Sequence, residues 1–369
     1  MKLDEILTQK LQILEAKQLK RTNLSNFRHD GIFVERNGKK LISFSCNDYL
    51  GLSQNKLVIE AGINALNKYG VGSGASRLVT GNCPLYEELE ALLAQYYGME
   101  DACVFGSGYL ANIGTIPALV GKNDLIIADK LSHACIIDGA KLSGATLLRF
   151  AHNNYEHCRL LLENNRNEYQ NCLIITESVF SMDGDTSPLE QLSGLATKYN
   201  SWFMTDNAHN LTKNHQPATN IYLGTLSKAI GSYGGFVCGS NSLIEYLKTS
   251  ARSLIFSTGL PPVTLATAIK AIEIIKEQPE LCQKPLENAR IFTDILDLPT
   301  AESAIVPLII GENAKTLAAS QMLAEKGFLV AAIRPPTVPE NTARLRFTFS
   351  ALHSKQQIEK LCANVKSLI

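Results

Sequence analysis

The middle of the chain alternates short, mostly apolar runs with segments of helical pattern, and this alternation restricts the possible folds more than any other feature. Helical patterns such as HACIIDGAKLSG and YEHCRLLLENN fall between most of the runs. Apolar strands that alternate with helices are typical of a mostly parallel sheet covered on both faces. Only a short loop separates the last two runs, so we expect one of those strands to be antiparallel. The predicted strands are ACVF (102–105), LIIA (125–128), TLLRF (146–150), CLIITE (172–177), WFMTD (202–206), IYLGT (221–225) and GFVCG (235–239).

The pattern changes after about residue 270. Five segments there predict a strand, a helix, two strands and a helix, in the order AIVPLII, AKTLAASQMLAEKG, FLVAAI, ARLRFTFS and SKQQIEKLCANVKSLI. This order indicates a compact α+β unit, which a helix over 263–277 is expected to link to the sheet. We therefore predict an N-terminal helical arm and segment (1–48), a large α/β domain (49–270) and a small α+β C-terminal domain (271–369).

The composition argues against several classes of function. Lys plus Arg and Asp plus Glu both number 35, so the chain lacks the basic excess that a nucleic-acid or anionic-membrane partner requires. The nine cysteines form no CxxC pair, which favours reduced thiols and no metal site. Residues 1–21 predict a charged amphipathic helix rather than a signal peptide, and the longest apolar runs are too short to span a bilayer. We expect a soluble, cytoplasmic protein.

Residues just beyond the predicted strands are the first candidates for a site, because ligands of open α/β sheets bind at the carboxyl ends of the strands. Gly106, Ser107 and Gly108 follow the first strand and open a helix, so their N–H groups could bind a phosphate; a plain tight turn is an equal alternative. His133 follows the second strand and could also be a helix cap or a packing residue. Ser181, beyond a later strand, could equally be a turn residue.

Two neighbouring predicted strands end near groups with stronger chemical implications. Asp206 ends one strand and His209 follows it; a buried carboxylate there needs a cation or a structural partner. Lys228 lies beyond the next strand in GTLSKAIGSYGG. A lysine among small residues could be solvated, or it could be desolvated into an amine nucleophile with room for a flat aldehyde. A phosphate turn, an aspartate and a lysine together are what pyridoxal 5′-phosphate requires, since the aspartate keeps the pyridine nitrogen protonated and the lysine holds the aldehyde.

Eight motifs along the chain resemble those of the α-oxoamine synthases, a family of fold-type I pyridoxal-phosphate enzymes. They occur in the expected order, from about residue 3 to the C-terminus, and read SCNDYLGL, GSGASRLVTG, GSGYLAN, DKLSHACIIDG, ESVFSMDGD, GTLSKAIG, FSTGLPP and AIRPPTVPENTARLRFT. The resemblance implies a PLP-binding large domain with a mostly parallel mixed sheet, a smaller α+β domain, and a homodimer with interfacial active sites.

The resemblance also implies residue roles. Lys228 would hold the cofactor aldehyde and later shuttle the substrate α-proton, and Asp206 would pair with the pyridinium nitrogen. The implied catalytic residues are Lys228, His133, Asp206 and His209. The implied cofactor-binding residues are Gly108, Tyr109, His133, Ser181, Asp206, His209, Thr225 and Lys228, with Ser257 and Thr258 reaching the phosphate of a neighbouring subunit.

Substrate binding is implied for six residues: Arg21, Asn47, His133, Arg334, Thr337 and Arg346. Of these, Asn47, Arg334 and Arg346 would bind the amino-acid carboxylate, because a guanidinium can bond a carboxylate with two hydrogen bonds. Arg21 and Thr337 would contact the acyl substrate. Either carboxylate-binding arginine could instead be an ordinary strand-surface residue, and Arg344 is the less favoured neighbour.

The implied reaction is a decarboxylative condensation of an amino acid with an acyl thioester. The IRPPTVP and TARLR motifs most resemble the biotin-pathway member of the family, which implies L-alanine and a pimeloyl thioester of CoA or a carrier protein. Another member, such as glycine C-acetyltransferase, 5-aminolevulinate synthase or a serine palmitoyltransferase-like enzyme, and a non-catalytic PLP-binding partner subunit are the alternatives. The segment 210–227 departs from the family, because it lacks the usual glycines and is about ten residues shorter, which leaves the loop beside the site and acyl recognition open.

Overall fold

The computed structural model describes residues 2–211 and 219–368. Its helices are α1 (Leu3–Ala16), α2 (Lys56–Tyr69), α3 (Pro84–Tyr97), α4 (Gly108–Leu119), α5 (Ala134–Ser143), α6 (Tyr155–Asn165), α7 (Leu189–Lys198), α8 (Asn241–Ser250), α9 (Arg252–Ile255), α10 (Pro262–Glu277), α11 (Lys284–Ile295), α12 (Asn313–Glu325) and α13 (Lys355–Val365). Its strands are β1 (Phe27–His29), β2 (Phe33–Arg36), β3 (Lys39–Ser43), β4 (Asp101–Phe105), β5 (Leu125–Asp129), β6 (Thr146–Phe150), β7 (Cys172–Glu177), β8 (Trp202–Asp206), β9 (Ile221–Thr225), β10 (Gly235–Gly239), β11 (Ile305–Gly311), β12 (Phe328–Leu329), β13 (Ala331–Ile333) and β14 (Ala343–Thr348).

The central sheet contains all seven strands predicted from the apolar runs, in the order β4-β10-β9-β8-β7-β5-β6. β10 is antiparallel to both of its neighbours, and β9, β8, β7, β5 and β6 pair in parallel. The predicted mostly parallel mixed sheet, with one antiparallel strand, is thus confirmed.

Alternating side chains of the buried strands fill two apolar layers, one on each face of this sheet. In β5, Ile126 and Ala128 pack with α4, α5 and α8 residues, whereas Leu125 and Ile127 pack with residues of α6 and α7. Each of these side chains is fully buried, and burial of a Leu or Ile side chain contributes about 1.5–3 kcal/mol. Burial on both faces explains why the strands read as continuous apolar runs.

The chain forms two compact units. One contains residues 50–181 and 185–283 with the central sheet, and the other contains residues 1–49, 182–184 and 284–369. The sequence-based division placed its boundaries at 48/49 and 270/271 and kept the N-terminal segment separate. Helix α10 belongs with the central sheet because it packs on α2 and α3, and the N-terminal segment groups with the C-terminal residues because β3 pairs in parallel with β12.

The second unit has two sheets, β1-β2-β3-β12 and β11-β14-β13, around an aromatic core that includes Phe292, Phe347 and Phe349. The predicted single strand FLVAAI is divided in the structure, because Phe328–Leu329 pairs with β3 whereas Ala331–Ile333 pairs with β14. Strands β1 to β3 were not predicted.

Across the described ranges, no helix combines the length and the apolar character needed to cross a membrane. The nine cysteines are all unbonded thiols, seven of them buried. No group of three or more metal-ligating side chains comes together among residues 2–211 and 219–368.

Candidate active site

The predicted cofactor-binding residues other than Ser257 and Thr258 lie at or beyond strand ends on one edge of the central sheet. Strands β4, β5, β7, β8 and β9 run in the same direction, so their carboxyl ends share that edge. The residues at or just beyond these ends are Gly108 after β4, His133 after β5, Ser181 after β7, Asp206 and His209 at β8, and Thr225 and Lys228 at β9.

Lys228 contacts a predicted partner directly. Its Nζ lies 2.8 Å from Nε2 of His209, and His209 is buried. The surrounding residues are small because the backbone passes close to other segments: Gly231 has φ +73°, and a Cβ atom there would lie 2.4 Å from the backbone nitrogen of Ser53. The loop geometry therefore requires glycine, and it places the lysine amine beside an imidazole.

Asp206 is buried and accepts two N–H groups. Its Oδ1 accepts a hydrogen bond from the backbone of Ala208 at 3.0 Å, and its Oδ2 accepts one from Nδ2 of Asn112 at 2.8 Å. These two donors fix the carboxyl group in place at the end of β8. Asn112, in α4, was not among the predicted site residues, although it is the last residue of the GSGYLAN motif.

Glu177 is a second carboxyl group at this edge that the sequence analysis missed. It ends β7 opposite Asp206 in the strand register, it is buried, and its Oε1 accepts the backbone N–H of His133 at 2.6 Å. Burial, together with the nearby negative charge of Asp206, raises the pKa of Glu177 to about 8. This carboxyl group is therefore mostly protonated at neutral pH, so the site avoids two adjacent negative charges.

His133 is the N-cap residue of α5, and its ring Nδ1 accepts the backbone N–H of Cys135 at 3.2 Å. The Sγ atom of Cys135 lies 2.8 Å from the same nitrogen. Partial desolvation lowers the pKa of His133 and Lys228 lowers it further, against an opposing effect of Asp206. The imidazole is therefore neutral at neutral pH.

The turn before α4 has the form of an anion site. Ser107 caps the helix by accepting the Leu110 N–H at 3.1 Å, and a Cβ atom on Gly108 would lie 3.6 Å from Cβ of Thr225. A Cβ atom on Gly235 would lie 2.4 Å from the Ser107 carbonyl carbon, so β10 passes directly beneath the turn. The N-terminus of a helix beside a threonine hydroxyl suits a phosphate.

The remaining cofactor-binding candidates are placed as follows. The Tyr109 hydroxyl donates to Asp138 at 2.6 Å, and the predicted phosphate contact of Tyr109 involves its backbone and not this hydroxyl. Ser181 lies in a loop closed by a bridge between Val179 and Thr186. Thr258 is exposed and bridges Ser76.

The substrate-binding candidates other than His133 all belong to the second unit, where the structure divides them into two groups. In the first, Nη1 of the buried Arg346 donates to Asn47 at 3.2 Å and to Thr348 at 2.9 Å. The neighbouring Arg344 instead forms a 2.6 Å ion pair with Asp183. Arg344 is thus already bound to a protein carboxylate.

In the second group, Nη2 of Arg21 donates to Oγ1 of Thr337 at 2.7 Å, and Arg334 donates to the Gln18 carbonyl oxygen. Burial lowers the pKa of Arg334, and the positive charge of Arg21 lowers it further. The structure therefore groups Arg334 with the acyl-substrate candidates rather than with Asn47 and Arg346. Residues 212–218, in the segment where the sequence departs from the family, lie outside the described residues.

The side chains at the sheet edge fit pyridoxal 5′-phosphate. A buried carboxylate is available for the pyridine nitrogen, a lysine amine beside an imidazole for the aldehyde, and the N-terminus of α4 with Thr225 for the phosphate. Each of these groups lies at the carboxyl end of a parallel strand, where α/β sheets bind ligands.

Comparisons with known proteins identify the family of the chain. The profile of the family named aminotransferase class I and II matches residues 39–365. An 8-amino-7-oxononanoate synthase of Beijerinckia indica is 48% identical over 378 residues, covering 100% of this chain and 98% of its own.

Two solved structures extend the comparison. A serine palmitoyltransferase of S. paucimobilis with a bound PLP–myriocin aldimine superimposes with a TM-score of 0.92 at 29% identity, covering 100% of this chain and 98% of that one. An 8-amino-7-oxononanoate synthase from Francisella tularensis gives a TM-score of 0.75 at 28% identity, covering 89% and 97%. The chain is a pyridoxal-phosphate-dependent transferase that belongs to the aminotransferase class I and II family, in the α-oxoamine synthase branch that contains the 8-amino-7-oxononanoate synthases.

Proposed function

We propose that the enzyme condenses L-alanine with a pimeloyl thioester, carried by CoA or a carrier protein, to give 8-amino-7-oxononanoate, CO2 and free thiol. The observation that carries the proposal is the 48% identity, over the whole chain, to a relative named for this product. In the reaction, a bond forms between alanine Cα and the thioester carbonyl carbon, the C–S bond breaks, and the alanine carboxylate leaves as CO2.

The two groups of arginines support this substrate pair. Alanine and a pimeloyl chain each present a carboxylate, and the second unit offers an arginine-containing cluster for each: one with Arg346 and one with Arg21 and Arg334. We assign Arg346 and Asn47 to the amino-acid carboxylate. We assign Arg21, Arg334 and Thr337 to the distal carboxylate of the acyl chain, because two guanidinium groups near a hydroxyl suit an anion. An acetyl or palmitoyl chain has no second carboxylate, which disfavours glycine C-acetyltransferase or serine palmitoyltransferase activity.

The residues at the sheet edge would carry the proton transfers. Bound pyridoxal phosphate supplies an electron sink that stabilises negative charge at alanine Cα. Asp206 keeps the pyridine nitrogen protonated, and the Lys228 amine takes the α-proton and returns a proton to Cα after CO2 leaves. His209 orients the Lys228 amine through the 2.8 Å contact, and His133 positions the substrate. Ser181 and His209 would hydrogen-bond the cofactor ring hydroxyl, and Gly108, Tyr109 and Thr225 would bind the phosphate.

We further propose a homodimer located in the cytoplasm. Large apolar side chains are exposed on and after α2, namely Leu57, Ile59, Ile63, Leu66, Val71, Leu78 and Val79, and exposed apolar surface of this kind is typical of a subunit interface. Ser257 and Thr258 would then bind the phosphate of the partner site. Nine unbonded thiols suit a reducing compartment.

A substrate screen that follows thiol release tests the function. L-Alanine with pimeloyl-CoA or a pimeloyl carrier protein is compared with glycine plus acetyl-, succinyl- or palmitoyl-CoA. We expect the alanine and pimeloyl pair to give the highest kcat/KM and an 8-amino-7-oxononanoate product by mass spectrometry. Lys228→Ala should lower kcat by about 10²–10⁴-fold, the usual contribution of a positioned acid–base group.

Two outcomes would contradict the proposal. A preference for glycine with another acyl-CoA would assign the enzyme to a different branch of the family. A purified protein that holds the cofactor but turns over none of the thioesters would favour a non-catalytic partner subunit.

A further inference from the structure

We propose that the thiol of Cys135 is a positioning residue that fixes His133 as the imidazole tautomer with its proton on Nε2, and that Asn112 links this arrangement to Asp206. The importance of His133 in turnover rests on the proposed function. The tautomer itself is a property of the folded protein and can be measured without substrate.

The first step of the argument concerns Nδ1 of His133. The backbone N–H of Cys135 points at this nitrogen with an N···N distance of 3.2 Å. A backbone N–H can only donate, so Nδ1 must carry its lone pair and the ring proton must be on Nε2. The Sγ atom of Cys135, 2.8 Å from the same nitrogen, is then the donor in its own contact, through S–H.

The second step concerns the direction of the S–H bond. Nδ2 of Asn112 lies 2.8 Å from Oδ2 of Asp206 and 3.1 Å from Sγ of Cys135. A carboxylate can only accept, so Nδ2 and not Oδ1 of the amide faces Asp206. The other Nδ2–H is shared between Sγ of Cys135 and the Gly108 carbonyl oxygen, which lies 3.3 Å away. The sulfur accepts from this N–H and turns its own hydrogen toward His133.

Burial and charge keep every member in the required state. Asn112 is fully buried and Cys135 is 3% exposed, and burial raises the pKa of the Cys135 thiol well above its ordinary value, with Asp206 and Glu177 adding to the effect. The thiol therefore keeps the hydrogen that it donates.

The charged groups around His133 act in both directions. Asp138 of the same helix and Asp206 of β8 raise its pKa, whereas partial desolvation and Lys228 lower it, with a net lowering. Glu177 of β7 accepts the His133 backbone N–H. The ring is therefore neutral, and the hydrogen on Nε2 is the one it can offer.

The tautomer decides what His133 can do. With Nδ1 occupied by Cys135, Nε2 is the ring nitrogen left for a ligand, and it acts as a hydrogen-bond donor. His133 is thus suited to hold an oxygen atom of the substrate, such as a carboxylate or carbonyl oxygen, and not to remove a proton from it.

Histidine NMR of the holoenzyme tests the tautomer directly, because ring ¹⁵N and ¹³Cδ2 shifts differ between the two neutral forms. The His133 signal, assigned by its loss in His133→Gln, is expected in the Nε2–H form in the wild type and in Cys135→Ser, which keeps a donor. In Cys135→Ala the pKa of His133 should rise by roughly half a unit to one unit, since a donor that opposes ring protonation is lost. Cys158→Ala removes another fully buried thiol, in α6, and should leave the signal unchanged.

The same variants give a kinetic test. The acidic limb of the kcat/KM pH profile should move upward in Cys135→Ala, kcat/KM at neutral pH should fall by about 2- to 10-fold, and Cys135→Ser should recover most of the loss. A wild-type Nδ1–H signal would overturn the proposal, and this measurement does not depend on whether Cys135→Ala folds. Identical His133 titrations in folded Cys135→Ala and Cys158→Ala would also overturn it. An Nε2–H signal in a protein that fails every thioester assay would refute the proposed function and leave this inference standing.

Discussion

Two polar clusters near the carboxyl ends of the central strands differ in how their charges are balanced. The lysine cluster consists of Lys228, His209, Asp206, Asn112, Glu177 and His133. The His152 cluster consists of Asp129, His152, Asn153 and Asp185. Both clusters lie on the same sheet and combine carboxyl groups with a histidine. Comparing them therefore shows how residues arranged for chemistry differ from residues arranged for stability.

In the His152 cluster, one cation lies between two carboxylates. Nδ1 of His152 is 3.0 Å from Asp129 and Nε2 is 2.7 Å from Asp185. Despite desolvation, which lowers it, the hydrogen bonds and charges of the two carboxylates raise the pKa of His152 to about 10. The cluster ties the end of β5 to the loop that follows β7.

In the lysine cluster, the pKa shifts favour the neutral form of each group, whereas the shift of His152 favours its charged form. The pKa of Glu177 is raised and that of His133 is lowered, so two groups are kept neutral beside Asp206 and Lys228. The size of the shift does not separate the clusters, because the pKa of His152 is displaced as far as that of Glu177. The direction does: burial favours the neutral forms in the lysine cluster, whereas an ion pair favours the charged form of His152. The lysine cluster therefore keeps two neutral groups that can exchange hydrogen bonds with a ligand, whereas the His152 cluster uses its one histidine to join two carboxylates.

The largest expected effect comes from a pair of Asp→Asn substitutions that compares the clusters directly. Asp206→Asn keeps the shape but removes the charge that we propose keeps the pyridine nitrogen protonated. We therefore expect kcat for thiol release to fall by about 10²–10³-fold, with little change in the denaturant midpoint. Asp185→Asn should do the reverse, lowering the midpoint while kcat changes less than threefold. Equal effects of the two substitutions on kcat would remove the distinction between the clusters.

His152→Gln tests the structural role of the second cluster. It leaves the fully buried Asp129 without its cation. Breaking a buried ion pair in this way should cost about 3 kcal/mol. This is the low end of the usual range, because the His152 side chain is a quarter exposed. The denaturant midpoint at pH 7 should fall accordingly, while KM for alanine stays within twofold. A midpoint equal to that of the wild type would show that the ion pairs contribute nothing to stability.

The pH dependence of that difference follows from the sign of the His152 shift. The folded pKa of about 10 lies above the unfolded value of about 6.5, so the stabilisation is complete below pH 6.5 and is lost as the pH rises toward 10. Denaturant midpoints of wild type and His152→Gln should therefore converge between pH 6.5 and 10. A constant difference over that range would mean that His152 does not change its protonation there.

Glu177→Gln should move stability in the other direction. In the wild type the folded pKa of about 8 exceeds the unfolded value of about 4.3, so stability falls as the pH rises from 4.3 to 8. An amide that accepts the same His133 N–H avoids this loss, and we expect a gain of about 1–2 kcal/mol at pH 8, with no gain at pH 4. Chemical denaturation at the two pH values measures it, and a loss of stability at pH 8 would contradict the raised pKa.

The sequence predicted the framework of the lysine cluster but not its supporting residues. Continuous apolar runs identify strands by a local pattern, and Asp206, His209 and Lys228 stand at strand ends that the pattern locates. The role of Asn112 depends on its hydrogen bond to Asp206, which lies 94 residues away in the sequence. A local sequence pattern cannot predict a contact between residues so far apart. The short strands β1 to β3 escaped prediction for the same reason, since β3 is completed by pairing with residues 328 and 329.

The smallest expected effect belongs to Asn153→Gly, at the rim of the His152 cluster, and Asn153→Ala is its comparison variant. The φ of Asn153 is +54°, a left-handed conformation that asparagine tolerates better than most residues, and its Nδ2 donates to Asp185 at 2.9 Å and to the Thr186 carbonyl at 3.2 Å. Asn153→Ala removes these bonds and adds backbone strain, so we expect a loss of about 2 kcal/mol. Asn153→Gly removes the same bonds without that strain and should cost about 1 kcal/mol.

Neither substitution of Asn153 should change kcat by more than twofold, because the His152 cluster acts on stability and not on proton transfer. A larger fall of kcat in both variants would mean that the loop carrying Ser181 depends on this cluster, and the two clusters would then form one functional unit.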